Sequence, residues 1–218
     1  MSIRIIIEPK CKCKKSVIFL HGMKQDESDI IEIIDKIKES YNFIRFTVPV
    51  SNLMDINWPS GVERNVLSWY NYYTQYDNHF KHDIINKNQL QESTDKLCEI
   101  INNEINDVGN ENVYLIGISQ GGTVCINASL NINKPIKILC IDTIFLHTYS
   151  NFTNNTLHEY IVFQSKNDEI YNPLFQDYCY NLLSQKGHKI IKCIYNQGHC
   201  ENMDNIYNFI MKNLQKNK

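Results

Sequence analysis

Ser119 lies in Val113-Tyr114-Leu115-Ile116-Gly117-Ile118-Ser119-Gln120-Gly121-Gly122, where an apolar, β-branched run enters a G-x-S-x-G pattern with a further glycine behind it. In that pattern a serine ends a buried strand and turns sharply into a helix, so that its hydroxyl stands clear of the sheet. The turn strains the serine backbone and leaves room only for residues without a β-carbon two positions to either side. A serine hydroxyl is a poor nucleophile at neutral pH; it needs a base, and the base needs an orienting carboxylate. On a strand-to-helix turn of this kind the three follow in the order serine, acid, histidine. His147, His158, His188 and His199 all follow Ser119. His199 is the best base, because Asn196-Gln197-Gly198-His199-Cys200 directly follows the apolar run Lys189 to Tyr195. That places it at the C-terminal end of a strand, where parallel sheets bind ligands; His188 falls at the opposite end. The acid is expected just past the run Tyr160 to Gln164. Asp168 is the choice by distance from the strand end, with Glu169 as the alternative. Asp142 falls inside an expected strand and Asp177 on the outer part of a helix. Acyl transfer also develops an oxyanion, which needs two aimed backbone N–H groups. Gln120, at the start of its helix, supplies one. Met23, in the turn His21-Gly22-Met23 after an early strand, can present the other.

Alternating strands and helices must position these groups. Ile3 to Ile7 and Ser16 to Leu20 read as strands, with the basic stretch Cys11-Lys12-Cys13-Lys14-Lys15 as a hairpin loop between them. Asp26 or Ser28 caps a helix whose apolar stripe is Ile30, Ile33, Ile34 and Ile37. Phe43 to Val48 is a third strand, stopped by Pro49. From Ser51 to about Asn88 no period is sustained, but aromatic residues are dense. A long connection of that kind inside a domain points to function, and Leu53, Met54, Ile56, Trp58, Trp69, Tyr70 and Tyr73 are expected to line an apolar groove for an acyl chain. Leu90, Thr94, Leu97, Ile101 and Ile105 mark a long amphipathic helix. After the serine strand and the helix Gly122 to Leu130, strands are expected at Ile136 to Ile144, Tyr160 to Gln164 and Lys189 to Tyr195. A helix through Phe175, Tyr178, Leu182 and Leu183 separates the last two, and a terminal helix carries Ile206, Phe209, Ile210 and Leu214. The alternation implies a mostly parallel sheet with helices on both faces, and neither a repeat nor a linker divides residues 1–218 into more than one domain.

The chain has 218 residues and a net charge of −2. That charge argues against a general nucleic-acid or membrane-surface binder, and no apolar run is long enough to span a bilayer. The start, Met1-Ser2-Ile3-Arg4, has no signal-peptide core, so a cytoplasmic location is expected. Eight cysteines in such a chain read as reduced thiols, with Cys98, Cys125, Cys140, Cys179 and Cys193 acting as small hydrophobes. Cys11 and Cys13 have no second Cys or His pair at zinc spacing, so neither a metal nor a cofactor is expected. Their neighbouring lysines could make them reactive.

Phe19-Leu20-His21-Gly22, Ser68-Trp69-Tyr70-Asn71, Gly117-Ile118-Ser119-Gln120-Gly121-Gly122, Asp168 with Ile170, and Gly198-His199 together resemble the acyl-protein thioesterase/carboxylesterase family of α/β-hydrolases, which also includes lysophospholipases. The resemblance spans nearly the whole chain. It implies an α/β-hydrolase fold without a separate lid domain, Ser119, Asp168 and His199 as a catalytic triad, Met23 and Gln120 as oxyanion donors, and Trp69 beside the acyl group. The chain departs from the family pattern at Ile116, at Ser165-Lys166, at Asn71, and in Met23-Lys24-Gln25-Asp26-Glu27. None of these removes a catalytic group; they bear on substrate range. The expected activity is hydrolysis of carboxylic esters or thioesters through an acyl-serine, most nearly that of a depalmitoylating thioesterase, with an S-acylated protein or lysophospholipid as substrate and transient membrane contact. The alternatives are a lysophospholipase or small-ester carboxylesterase, a hydrolase of non-acyl substrates, and an inactive hydrolase fold used for binding.

Overall fold

The computed structural model describes residues 3–150 and 155–215; Met1 and Ser2, on which part of the N-terminal reading rests, lie outside them. Among these residues the strands are β1 (Ile3–Ile7), β2 (Lys15–Leu20), β3 (Ile44–Val50), β4 (Asn52–Trp58), β5 (Gly61–Ser68), β6 (Val113–Ile118), β7 (Lys137–Ile141), β8 (Glu159–Ser165) and β9 (Lys189–Tyr195). The helices are α1 (Glu27–Ser40), α2 (Lys87–Val108), α3 (Ser119–Ser129), α4 (Pro173–Gln185) and α5 (Met203–Leu214). Seven strands form one sheet in the order β1-β3-β2-β6-β7-β8-β9. β1 is antiparallel to β3, and every other neighbour in that sheet is parallel.

The central strands are apolar on both faces because both are covered. Along β2, Val17 and Phe19 join the core that includes Ile30, Ile34 and Ile37 of α1 and Phe209 and Ile210 of α5. Ile18 and Leu20 point the other way, toward Leu97 and Ile101 of α2, Val124 of α3 and Phe175 and Leu183 of α4. β6 divides in the same manner, Tyr114 and Ile116 on one side and Val113 and Leu115 on the other. Asn86 and Asn172 cap α2 and α4 by accepting backbone N–H bonds from the first turn.

Three local expectations are corrected. Pro49 lies inside β3 rather than ending it; the parallel pairing with β2 ends at Thr47, two residues earlier, so a residue without an N–H is tolerated there. Residues 11–15 are not a hairpin loop, because β3 sits between β1 and β2. The stretch after Ser51 contains a hairpin of its own, β4 paired antiparallel with β5 through Trp58-Pro59-Ser60-Gly61. β4 hid from periodicity because Ile56 is its one fully buried residue and the register shifts between Met54 and Ile56. The Pro and Gly of its turn were the available signal.

Candidate active site

Ser119 sits where β6 meets α3 with φ +48°, in the left-handed region that costs a non-glycine residue about 1–3 kcal/mol. The surrounding glycines explain how the turn closes. A β-carbon on Gly117 would lie 2.5 Å from Gly122 Cα, and one on Gly122 would lie 2.6 Å from Thr143 Cβ. At Gly121 a β-carbon would collide with the His21 carbonyl. Strand and helix thus pack at a distance only glycine permits. Thr143 Oγ1 also donates to the Ser119 carbonyl at 2.7 Å.

The loops after β8 and β9 bring Asp168 and His199 to this serine. His199 Nε2 is 2.9 Å from Ser119 Oγ, and His199 Nδ1 is 3.0 Å from both Asp168 oxygens. Asp168 is buried. Its Oδ1 accepts N–H bonds from Ile170 and Tyr171, and its Oδ2 accepts from Gln176 Nε2 at 3.0 Å. Glu169, the alternative acid, points elsewhere: its Oε2 accepts the His199 backbone N–H. Asp142 is beyond the end of β7 and completely buried. It accepts from Ser165 N, Ser165 Oγ and Cys200 N, each at 2.8 Å, and so ties the end of β8 to the loop that carries His199. Burial pushes the His199 imidazole down, but the hydrogen bond and charge of Asp168, with Asp142 and Glu169, outweigh it and leave its pKa above the ordinary value of 6.5. Of the other histidines after Ser119, His158 stacks on His188 at the far end of the sheet and His147 pairs with His82.

The two expected oxyanion donors line the same cleft as Ser119 and His199. Gln120 lies in the first turn of α3, where backbone N–H groups have no intrahelical acceptor and the helix dipole favours negative charge. Its side chain is a clamp: Oε1 accepts from Trp69 N at 2.9 Å, and Nε2 donates to the Tyr70 carbonyl at 2.9 Å. Trp69 Nε1 in turn donates to the His21 carbonyl, and His21 Nε2 accepts from Ser51 N. Lys24 N donates to the Leu67 carbonyl. The turn carrying Met23 is thereby held from several sides, close enough that a β-carbon on Gly22 would stand 3.4 Å from Ser119 Cβ.

The cleft over Ser119 has a volume of about 460 Å³. Its apolar walls are Met23, Trp58, Tyr72, Ile170 and Tyr171, and Lys24, Glu63, Gln75, Asp77 and Asp83 make it polar elsewhere. Of the residues expected to line an acyl groove, Trp58 is in its lining, and Leu53, Met54, Ile56, Trp69, Tyr70 and Tyr73 are not. Trp69 and Tyr70 are buried beneath it, while Leu53 and Tyr73 face solvent. The hairpin explains the difference, because its pairing delivers Trp58 to the cleft: the indole stacks on Tyr72 at 5.3 Å and donates to Glu63, which also pairs with Lys24. Asn71 anchors the hairpin by accepting from Asn57 N and donating to the Asp55 carbonyl.

All eight cysteines are free thiols. Burial, against the pull of Arg45, pushes the Cys13 thiol up, opposite to the activation its lysine neighbours suggested. His82, His147 and Cys179 form a second cluster away from Ser119. Burial, and then the neighbouring His147, lower the His82 imidazole to about 4, so it is neutral at pH 7.

The family model of phospholipases and carboxylesterases matches residues 1–215. No curated protein sequence matches the chain. Among solved structures, a variant of SOBER1 from Arabidopsis thaliana superposes with a TM-score of 0.76 at 18% identity, covering 93% of this chain and 98% of that one. Zea mays acyl-protein thioesterase 2 gives 0.74 at 14% identity, covering 98% and 100%. The Bacillus cereus carboxylesterase gives 0.72 at 15%, covering 98% and 93%. These likenesses establish an α/β-hydrolase fold. The chain belongs to the phospholipase/carboxylesterase family, whose members are ester hydrolases on that fold. Among the described residues no helix is long and apolar enough to cross a membrane.

Proposed function

We propose that this protein hydrolyses carboxylic esters or thioesters through an acyl-serine intermediate, with S-acylated proteins or lysophospholipids as the substrate class. The observation that carries the proposal is the continuous chain of hydrogen bonds from Ser119 Oγ through His199 to buried Asp168, opening on a cleft with aromatic walls. His199 takes the serine proton as Oγ attacks the acyl carbon and later returns it to the leaving alcohol or thiol. The N–H groups of Met23 and Gln120 receive the developing oxyanion. Water then attacks the acyl-serine with His199 again as base. An active-site serine probe of the fluorophosphonate type should label wild type and not Ser119→Ala. Turnover of a palmitoyl-cysteine peptide, compared with lysophospholipid and short esters, then assigns the substrate. Absence of labelling in folded wild-type protein would instead support the binding-protein reading.

His199 must be neutral to accept the proton. Because its pKa is raised above 6.5, kcat/KM should fall as pH drops through a value above 6.5, where the imidazole becomes protonated. A profile of kcat/KM on a fluorogenic ester gives the measurement. An acid limb well below pH 6 would show that burial, rather than Asp168, governs this histidine.

The acyl chain is placed against Trp58 and Tyr72. Each methylene removed from water is worth about 0.8 kcal/mol, so loss of contact with two of them costs about tenfold. Trp58→Ala should therefore lower kcat/KM by about tenfold or more for octanoyl and palmitoyl substrates, and much less for acetyl. Trp69→Ala should behave differently. Its indole is 2% exposed and bonded to the His21 carbonyl, so truncation should cost about 3–5 kcal/mol of stability and lower activity equally at every chain length. Thermal unfolding together with kcat/KM for acetyl, octanoyl and palmitoyl thioesters separates the two; a uniform loss for Trp58→Ala would place the acyl chain elsewhere.

A further inference from the structure

His82 belongs to the irregular connection between β5 and α2, His147 to the loop after β7, and Cys179 to α4. They are 65 and 32 residues apart along the chain, so no spacing in the sequence announces them. In the fold, His82 Nε2 and His147 Nδ1 are 2.8 Å apart, and Cys179 Sγ is 3.7 Å from His147 Nδ1 and 4.0 Å from His82 Nε2. Tetrahedral zinc, with bonds of about 2.0–2.1 Å to nitrogen and 2.3 Å to sulfur, requires nitrogen–nitrogen separations of about 3.3 Å and nitrogen–sulfur separations of about 3.6 Å. The three ligand atoms reach those values by moves of about half an ångström, within the freedom of side-chain torsions.

We propose that His82, His147 and Cys179 form a zinc-binding site separate from the Ser119 centre. Two imidazole nitrogens and one sulfur suit a borderline-soft cation and not magnesium or calcium, which take oxygen ligands. Phe175 packs against both histidine rings and Tyr178 against that of His147, and Phe80 packs in turn on Phe175 and Tyr178. A surface depression of about 540 Å³, lined by both histidines and by these aromatic residues, gives an entry path and room for a water as fourth ligand. On binding, the Cys179 thiol releases its proton to solvent. The imidazole that donates in the His82–His147 hydrogen bond moves its proton to its outer nitrogen, so both facing nitrogens become ligands. The ion would fasten the connection after β5 to α4 and to the loop after β7. Asp83, next to His82, lines the Ser119 cleft, so the site braces one of its walls.

The full chain, stripped with a chelator, should bind one Co²⁺ with the visible bands of tetrahedral cobalt and a near-ultraviolet thiolate-to-metal band, and one Zn²⁺ should displace it. Cys179→Ser should remove the thiolate band. His82→Ala and His147→Ala should each weaken zinc binding beyond the roughly 10–100-fold that loss of an outer-shell partner costs. Cys200→Ser, which alters the other grouping of titratable side chains, Asp142, His199 and Cys200, should keep the band. Circular dichroism verifies the fold of each variant, and should one not fold, stoichiometry in the wild type and the remaining variants still decide. Wild-type protein that takes up no stoichiometric zinc, or a thiolate band that survives Cys179→Ser, would overturn the assignment.

Discussion

Ser119→Ala is expected to lower turnover by on the order of 10⁶, and His199→Ala by a similar factor, with thermal unfolding little changed. The reason is that nucleophile and base act as one unit. Without Oγ there is no acyl-serine; without the imidazole, the base that Oγ faces at 2.9 Å is gone. Alanine keeps the β-carbon at 119, so it inherits the same left-handed φ of +48° and adds no backbone strain. The packing of Gly117 against Gly122 and of Gly121 against the His21 carbonyl involves neither side chain, so the turn should survive both substitutions. The double variant should be hardly slower than either single one. Single-turnover and steady-state kinetics on one thioester, with unfolding curves for all four proteins, provide the check. Wild-type turnover in a folded Ser119→Ala protein would remove the acyl-serine proposal altogether.

Asp168→Asn should cost on the order of 10⁴ in turnover, the loss seen when serine proteases undergo the corresponding change. The local geometry dictates the mechanism. Asp168 Oδ1 already accepts from the Ile170 and Tyr171 N–H groups, so an asparagine will turn its carbonyl oxygen to them. Its amide then faces His199 Nδ1 as a donor. That nitrogen must accept, the ring proton moves to Nε2, and Nε2–H now points at Ser119 where a lone pair is needed. Gln176 Nε2, which donates to Oδ2 in the wild type at 3.0 Å, would meet a second donor as well. Glu169→Gln should cost only a few-fold, because a glutamine oxygen can still accept the His199 backbone N–H. Measuring kcat for the two variants on the same substrate settles which acid serves; a larger loss at 169 than at 168 would move the role to Glu169 and leave the reaction class intact.

The parts of this protein that its sequence alone determines are those set by short-range sterics and by chain order. The turn at Ser119 is a local demand: strand and helix must approach within a distance that no β-carbon at 117, 121 or 122 allows, and six consecutive residues state it. His199 was legible because it directly follows the apolar run of β9, and Asp168 because it follows β8 at the length of a short loop. The alternation of apolar runs and helical stripes likewise implied the parallel sheet with helices on both faces. Tertiary structure alone decided which side chains stand around Ser119. Trp58 and Trp69 are equally large and apolar in sequence; a bulged hairpin pairing directs one into the cleft, while the hydrogen bonds of Gln120 and His21 draw the other into the core. Asp142 read as part of a strand, yet it is the buried acceptor that joins the end of β8, just ahead of Asp168, to the loop holding His199. Gln176 and Glu169 support the site through contacts equally remote from any sequence pattern. A histidine pair and a cysteine on three separate elements meet for the same reason: backbone sterics and periodicity act over a few residues, whereas side chains from distant segments are brought together only when the burial of both faces of the sheet fixes how its loops lie against one another.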